Sequence, residues 1–457
     1  MNFDSIFFVS CFLPAVLFLY WLLPGLKAKN WVLLIFSLLF YSFGSLQGLA
    51  LLLGCCLVNY GIGLWLKSGK AAKTALITGI VLNVAFLCLY KYLDFLLAQV
   101  LGLKALAPGL IAPIGISFFT FKSISYLADA YAQPEKATGS LPKLMLYITF
   151  FPQVVMGPIT RFSDFAPQLE NRSLSMENTA AGLRRFVVGL GKKLLIAATL
   201  GQLVDGVYGF EAVDARLAWL AAIGYSLQLY FDFSGSMDMV IGLGRVFGFE
   251  TVENFNYPYI ASTVGEFWRR WHISLSSWFK DYVYIPLGGN RKGKLRAGIH
   301  KSIVFILCGI WHGANWTFLV WGLWHGLFSL LESVNVIPAK RLQKSKVAGH
   351  VYTLLVVCLG FVMFRADTLA QGFSVLAAMF TGFAFTKEAT VLLHSLMTLE
   401  TLGMLVVGVV LSMPVAAGLQ KKKWAQPVSY VAAALLFVLC ILKLAAGDFA
   451  PAIYAQF

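Results

Sequence analysis

The sequence predicts an all-α fold, a polytopic transmembrane helical bundle of roughly ten spans with re-entrant and interfacial helices. Two observations carry this reading. Of 457 residues, 59% are hydrophobic and only 12% are charged, whereas a soluble domain carries about 25% charged residues. A buried core does not explain that shortfall; a lipid-facing surface does. Second, several runs approach or exceed the ~18 apolar residues of a spanning helix. They are residues 5–23, 31–43 with 46–66, 74–90, 185–200 and 428–442.

The first of these runs reads as a span rather than a cleaved signal, because no basic residue precedes Lys27. The next two turn near residues 44–48. Residues 111–131 form a return segment that carries Pro113, Gly115, Lys122 and Asp129. The apolar stretch 147–158 is too short to span and is interrupted by Pro152, Gly157 and Pro158. Irregular backbone is tolerated at membrane depth only inside protein or beside water, so this piece reads as re-entrant or interfacial. Residues 265–282 read as one interfacial amphipathic helix. Phe267, Trp271, Leu275, Trp278 and Tyr282 share one face, and Arg269, His272, Ser276 and Lys280 share another. No soluble domain and no repeat period is visible, so residues 1–457 are expected to form a single integral membrane domain.

Charge sets the expected orientation. The net charge of +15 comes from 36 Lys+Arg against 21 Asp+Glu. The basic residues cluster in short loops, which is the positive-inside pattern and not a nucleic-acid surface. An anionic cytoplasmic ligand or a lipid headgroup fits the same charge. Loops at Lys27–Lys29 and Lys67–Lys73 are expected inside and the N-terminus outside. The densest basic run, Arg291, Lys292, Lys294, Arg296 and Lys301, is expected inside too, as are Lys340, Arg341, Lys344 and Lys346. Residues 302–339 can then form one tight pair of spans. His312 lies eleven residues beyond Lys301, or ~16 Å along a helix, about halfway through a ~30 Å hydrocarbon core. His325 falls on the returning arm.

Ionisable groups at such depth suggest function by default. His312 sits in Gly309-Ile-Trp-His-Gly-Ala-Asn-Trp316. A neutral imidazole there can take a proton from a hydroxyl, or it can simply pack against a neighbouring helix. Gly309 and Gly313 would admit a substrate or another backbone. His272 fits either a catalytic or an ordinary interfacial role. Asp232 and Asp238 lie six residues apart, on different helical faces, so they are not a metal pair; Asp232 fits pairing with an arginine or support of a histidine. Arg161, Arg269, Arg270 and Arg365 suit an anionic substrate or mark the interface. Seven of the 12 tryptophans fall between Trp268 and Trp324, and their crowding around both histidines suggests a lined cavity. The seven cysteines lie in apolar runs without metal-ligand spacing, so no metal is expected. No phosphate loop and no Gly-x-Ser-x-Gly elbow is present.

One family is resembled at several points in order, from about residue 5 to 420. Glu266-Phe-Trp-Arg-Arg-Trp-His-Ile-Ser-Leu-Ser276 followed by Asp281-Tyr-Val-Tyr-Ile-Pro-Leu-Gly-Gly-Asn-Arg291 resembles the signature of membrane-bound O-acyltransferases of the alginate O-acetyltransferase type. Phe255-Asn-Tyr-Pro-Tyr259, Pro113-Ile-Gly-Ile-Ser-Phe-Phe-Thr-Phe121, Phe150-Phe-Pro-Gln153 with Gly157-Pro158, and Phe364-Arg-Ala-Asp367 match as well. One departure stands out: Ser236-Met237 replaces an expected Tyr-Ser pair, while Asp238 is kept. It bears on the substrate more than on the reaction.

The resemblance implies a helical bowl around a central tunnel in a bacterial cytoplasmic (inner) membrane. It implies a cytoplasmic acyl donor, acetyl-CoA, used as a substrate with no permanently bound cofactor. It also implies an extracytoplasmic acetyltransferase partner protein and a polysaccharide acceptor such as alginate. The family's invariant histidine falls on His312 and the second histidine of the bacterial branch on His272. His312 is then the expected general base, and His272 positions the donor or serves the second half-reaction. Trp311, Asn315, Arg269 and Asp232 are candidate substrate or donor contacts, and Arg291, Lys292 and Lys294 are candidates for the donor's phosphates. Peptidoglycan or another cell-wall polymer is the alternative acceptor. A polysaccharide or lipid transporter and a scaffold for polymer export are the alternative classes.

Overall fold

Hydrocarbon offers no water to backbone N–H and C=O groups, so a chain inside it must satisfy them internally. The computed structural model, which describes residues 2–291, 293–415, 422 and 424–447, meets that constraint with helices alone among the described residues. Five helices are long and apolar enough to cross a bilayer: Leu46–Lys67, Ala72–Lys91, Met176–Tyr208, Val347–Arg365 and Ala425–Ala446. The pair Lys387–Leu396 and Leu399–Leu411, bent by 70° at its break, makes a sixth if counted as one span. The remaining apolar helices are shorter, as at Phe8–Leu22 and Leu369–Thr381, or carry polar side chains.

Contacts group the chain into two units, Met1–Phe186 with Met237–Val252, and Val187–Ser236 with Glu253–Phe457. In the first, helices α1 (Leu13–Leu22), α2 (Gly25–Ser42), α3 (Leu46–Lys67), α4 (Ala72–Lys91), α5 (Ile116–Ala132) and α6 (Leu141–Thr149) pack together. The expected turn near residue 44 is present, and Ser45 caps α3 by accepting from the Gly48 amide. Phe8, Phe12, Phe40 and Phe151 share ring contacts in the core. Where α3 meets α4, Asn59 and Asn83 exchange amide hydrogen bonds of 2.8 and 3.1 Å, the polar glue that apolar helices need in lipid. The broken stretch after α6 is buried in protein, as its prolines require. The Ser37 hydroxyl accepts from the Phe151 amide at 2.9 Å, and Lys122 donates to the Tyr147 carbonyl and to Gln153 Oε1, both at 3.0 Å. Buried Arg172 closes the ends of two helices by donating to the carbonyls of Phe247 and Gln168.

The second unit holds the candidate site residues. Helix α7 (Met176–Tyr208) contains a π-turn at Lys192–Ala197, in which the Ala198 amide reaches the Lys193 carbonyl. It is followed by α8 (Ala215–Val246), α9 (Val264–Arg270), α10 (Ile273–Phe279), α11 (Lys294–His312), α12 (Trp316–Ser333) and α13 (Val347–Arg365). Helices α11 and α12 form the tight hairpin expected between the two basic clusters. Two glycines let the backbones touch. A Cβ on Gly309 would lie 2.4 Å from the Phe318 carbonyl oxygen, and one on Gly322 would lie 2.5 Å from that of Phe305. Ser302 donates across to the Gly326 carbonyl at 2.9 Å, and Lys301 to the Ser333 hydroxyl at 2.9 Å at the open end. Helix α13 packs alongside, its Val356 carbonyl accepting from Trp324 Nε1 at 2.8 Å.

Gly309→Val is expected to destabilise the folded protein in detergent by about 1–3 kcal/mol, the usual cost of overpacking. Gly403→Ala, at a position where an added Cβ meets nothing within 4 Å, serves as the control and is expected to be neutral in the same thermal melts.

Candidate active site

The segment that the pattern suggested as one amphipathic helix is two. Helix α9 stops at Arg270, Trp271 is extended, and His272 adopts the left-handed region at φ 46° and ψ 52° before α10 begins. The correction has a physical cause. The segment 254–256 runs beside the break and supplies the hydrogen bonds that a continuous helix would have made. The Asn256 amide donates to the Arg270 carbonyl at 2.9 Å and the Ile273 amide to the Asn254 carbonyl at 3.0 Å. The break turns His272 inward. It is 0% exposed rather than lying on a polar surface.

Carboxylates fix the start of α9. Glu332, near the end of α12, accepts from the amides of Val264 at 2.7 Å and Gly265 at 3.0 Å, and from the Tyr352 hydroxyl at 3.1 Å. Glu266 accepts from the Ser262 amide and hydroxyl, and pairs with Arg270 at 3.0 Å. Partial burial works to raise the Glu266 carboxyl, but the Ser262 and Arg270 hydrogen bonds outweigh it and hold its pKa below the usual value.

His312 is the last residue of α11 and is 4% exposed. Residues 301–312 are helical, so its ~16 Å separation from Lys301 holds. The hairpin turns immediately afterwards, at 313–315, which puts His312 at the tip. Gly309 meets a neighbouring backbone and Gly313 the Phe318 ring, so these glycines serve helix packing. The His312 ring lies 4.9 Å from Trp311, 5.2 Å from Trp321 and 5.0 Å from Phe364, centroid to centroid. Trp321 in turn lies 5.1 Å from His325, which is 0% exposed and accepts from Trp268 Nε1 at 3.4 Å. On the other side, Trp311 lies 6.1 Å from His272, and Phe233 stands edge-on to His272 at 4.6 Å. Three buried histidines thus stand in one row with indoles between them. Neither ring nitrogen of His272 has a hydrogen-bond partner among the described residues.

The other expected site residues divide. Trp311 belongs to the row. Asn315 caps α12: its Oδ1 accepts from the Thr317 amide at 3.1 Å and its Nδ2 donates to the Asp367 carbonyl at 2.9 Å. Its amide is therefore engaged in holding the turn. Asp232 pairs with Lys193 at 2.5 Å, both side chains 6% exposed, so a lysine is one of its partners. Asp238, in the first unit, pairs with Arg185 at 2.8 Å. Arg269 is exposed, and so are Arg291 and Lys294 at the start of α11; Lys292 lies outside the described residues. Arg365 is bound to Asp205 at 2.7 Å. Sequence reasoning missed Glu332, Asn254 and Lys193. Only Lys193 had a readable signal, a lysine inside an expected span.

Apolar helices of spanning length, together with a buried row of histidines and indoles, define an integral membrane protein with a candidate active site. The chain belongs to the membrane-bound O-acyltransferase family, whose profile matches residues 33–375; it is an O-acyltransferase. It is 40% identical over 395 residues to the "Probable alginate O-acetylase AlgI" of Pseudomonas aeruginosa, covering 83% of this chain and 75% of the relative. It is 34% identical to a peptidoglycan O-acetyltransferase of Helicobacter pylori over 82% of this chain and 79% of that one. It is 29% identical to the teichoic acid D-alanyltransferase of Bacillus subtilis over 56% of this chain and 69% of that one.

The lowered Glu266 carboxyl contributes stability above its unfolded pKa and loses it as pH falls through the folded value. Because the pair is partly exposed, the contribution is expected to be about 1 kcal/mol or less. Thermal melts of wild type and Glu266→Gln are expected to differ at neutral pH and to converge as the pH drops below the carboxylate range.

Proposed function

We propose that this enzyme transfers an acetyl group from cytoplasmic acetyl-CoA to hydroxyl groups of an extracytoplasmic polysaccharide, through a partner protein on the outer side of a bacterial inner membrane. The observation that carries the reading is the burial of His312 at the tip of a hairpin, ~16 Å from the last basic residue of its base, where a titratable ring needs a reason to exist. His312 acts as general base. It takes the proton of the attacking hydroxyl as that oxygen bonds to the thioester carbonyl carbon. The carbon–sulfur bond then breaks, and the proton passes to the departing thiolate. His272, one indole away, orients the acyl group. The exposed Arg291, Lys294 and Arg296 at the base of α11 receive the donor's phosphates, with the N-terminus of the chain outside. The relatives named for alginate and peptidoglycan acetylation support a polysaccharide acceptor. Alginate is the first reading, from the higher identity; peptidoglycan is the second, favoured by the Ser236-Met237 departure and the Helicobacter pylori relative.

Two outcomes are expected. His312→Gln, of similar bulk but unable to act as base at neutral pH, lowers transfer of radiolabelled acetyl per folded molecule by about 10²–10⁴-fold. Retention of more than about a tenth of wild-type turnover contradicts the assignment. Second, replacing Arg291, Lys294 and Arg296 together by glutamine weakens acetyl-CoA binding, with the larger effect at low salt. Unchanged affinity leaves these residues as orientation signals alone. Supplying alginate or peptidoglycan fragments with the outer-face partner, and following the label, decides the acceptor.

A further inference from the structure

The motif before α9 has no part in the chemistry above, yet it is the segment that shapes the turn at His272. Asn254 is 0% exposed. Its backbone carbonyl accepts from the Ile273 amide at 3.0 Å, and its side-chain Oδ1 accepts from both the Ser274 amide at 3.0 Å and the Ser274 hydroxyl at 2.9 Å. One residue therefore grips the two positions that follow His272. Two residues further on, Asn256 grips Arg270 from both sides: its amide donates to the Arg270 carbonyl, and its carbonyl accepts from the guanidinium at 3.1 Å. Between them, Phe255 lies 5.0 Å from Trp271 and 5.0 Å from Phe233, the ring that stands on His272. The segment is a splint laid across the break.

What the splint holds is costly. A non-glycine residue in the left-handed region sacrifices about 1–2 kcal/mol, and an imidazole buried without hydrogen bonds sacrifices more. Nothing in α9 or α10 alone selects that conformation, since both flanking segments are helical and a continuous helix would satisfy the same backbone. Strain of this kind persists only where surrounding structure over-determines it.

We propose that Asn254 is a positioning residue for acyl transfer. By fixing the left-handed turn it aims the His272 imidazole, and it acts on the reaction only through that ring. The proposal rests on the reading of His272 as part of the transfer site. Asn254→Ala removes the Oδ1 acceptor. It is expected to lower kcat per folded molecule by about 10²-fold, the scale of a 1 Å misplacement, with little change in KM for acetyl-CoA. Asn254→Asp keeps an acceptor oxygen at the same place and recovers most of that loss. In a His272→Ala background, Asn254→Ala costs nothing further, because residues acting through one another are not additive. Ser274→Ala, which loses only one of the three bonds, gives a smaller loss in kcat of the same kind.

Wild-type turnover tests the acyltransferase reading, and the variants test this one. An independent readout needs no turnover. In isotope-labelled protein, the imidazole nitrogen resonances of His272 shift in Asn254→Ala and stay at their wild-type positions in Asn254→Asp. Losses that merely follow the amount of folded protein overturn the proposal. So do losses that add in the double variant, unchanged kcat in Ser274→Ala, or His272 resonances indifferent to Asn254→Ala.

Discussion

The contact of α11 with α12 through Gly309 and Gly322 is the constraint on which the rest depends. Lipid tails are as apolar as leucine, so no hydrophobic force drives two helices together in a membrane; close packing must do it. With backbone against backbone, the turn can be as short as 313–315, and His312 becomes the last residue of its helix. Trp321 then reaches across from α12 to meet it, and His325, one helical turn on from Trp321, falls on the same face. A wider hairpin would separate these rings and open the site to lipid.

Charge is arranged around that contact in a consistent way. Arg269, Arg291 and Lys294 are exposed, while the interior row consists of imidazoles and indoles. Two of the buried or half-buried carboxylates of the second unit are committed across elements, Asp232 to Lys193 and Glu332 to the amides of α9. The second of these has a mechanical meaning. Helix α12 holds His325 partway along its length and Glu332 near its end, so the carboxylate that caps α9 ties the helix leading to His272 onto the α11–α12 hairpin, which holds the other two histidines.

Much of this was legible in the sequence, for identifiable reasons. Helices flanked by lysine loops leave a strong pattern, so the hairpin and the helical separation of His312 from Lys301 followed from the basic clusters and simple helical rise. The proline-broken stretch after residue 147 was readable because proline and glycine punctuate locally. The split at Trp271–His272 was not. Phe267, Trp271, Leu275 and Trp278 keep helical spacing through it, and the hydrogen bonds that favour the break come from residues 254–256, well removed along the chain. The partner of Asp232 was missed for the same reason: a lysine 39 positions away leaves no periodic trace. The capping role of Asn315 was not legible because a cap and a ligand demand the same amide.

The π-turn in α7 has a consequence for how this chain can change. It adds one residue to a helical ladder, and a regular helix would be locally better bonded. Deleting a single residue between positions 192 and 197 would restore that ladder, but it would also change which side chains of the stretch face Asp232. Lys193 would be drawn off Asp232, and breaking a buried ion pair costs about 3–5 kcal/mol. The helix is thus kept from its own best geometry by a charge pair, and indels in this stretch face a steeper barrier than substitutions do.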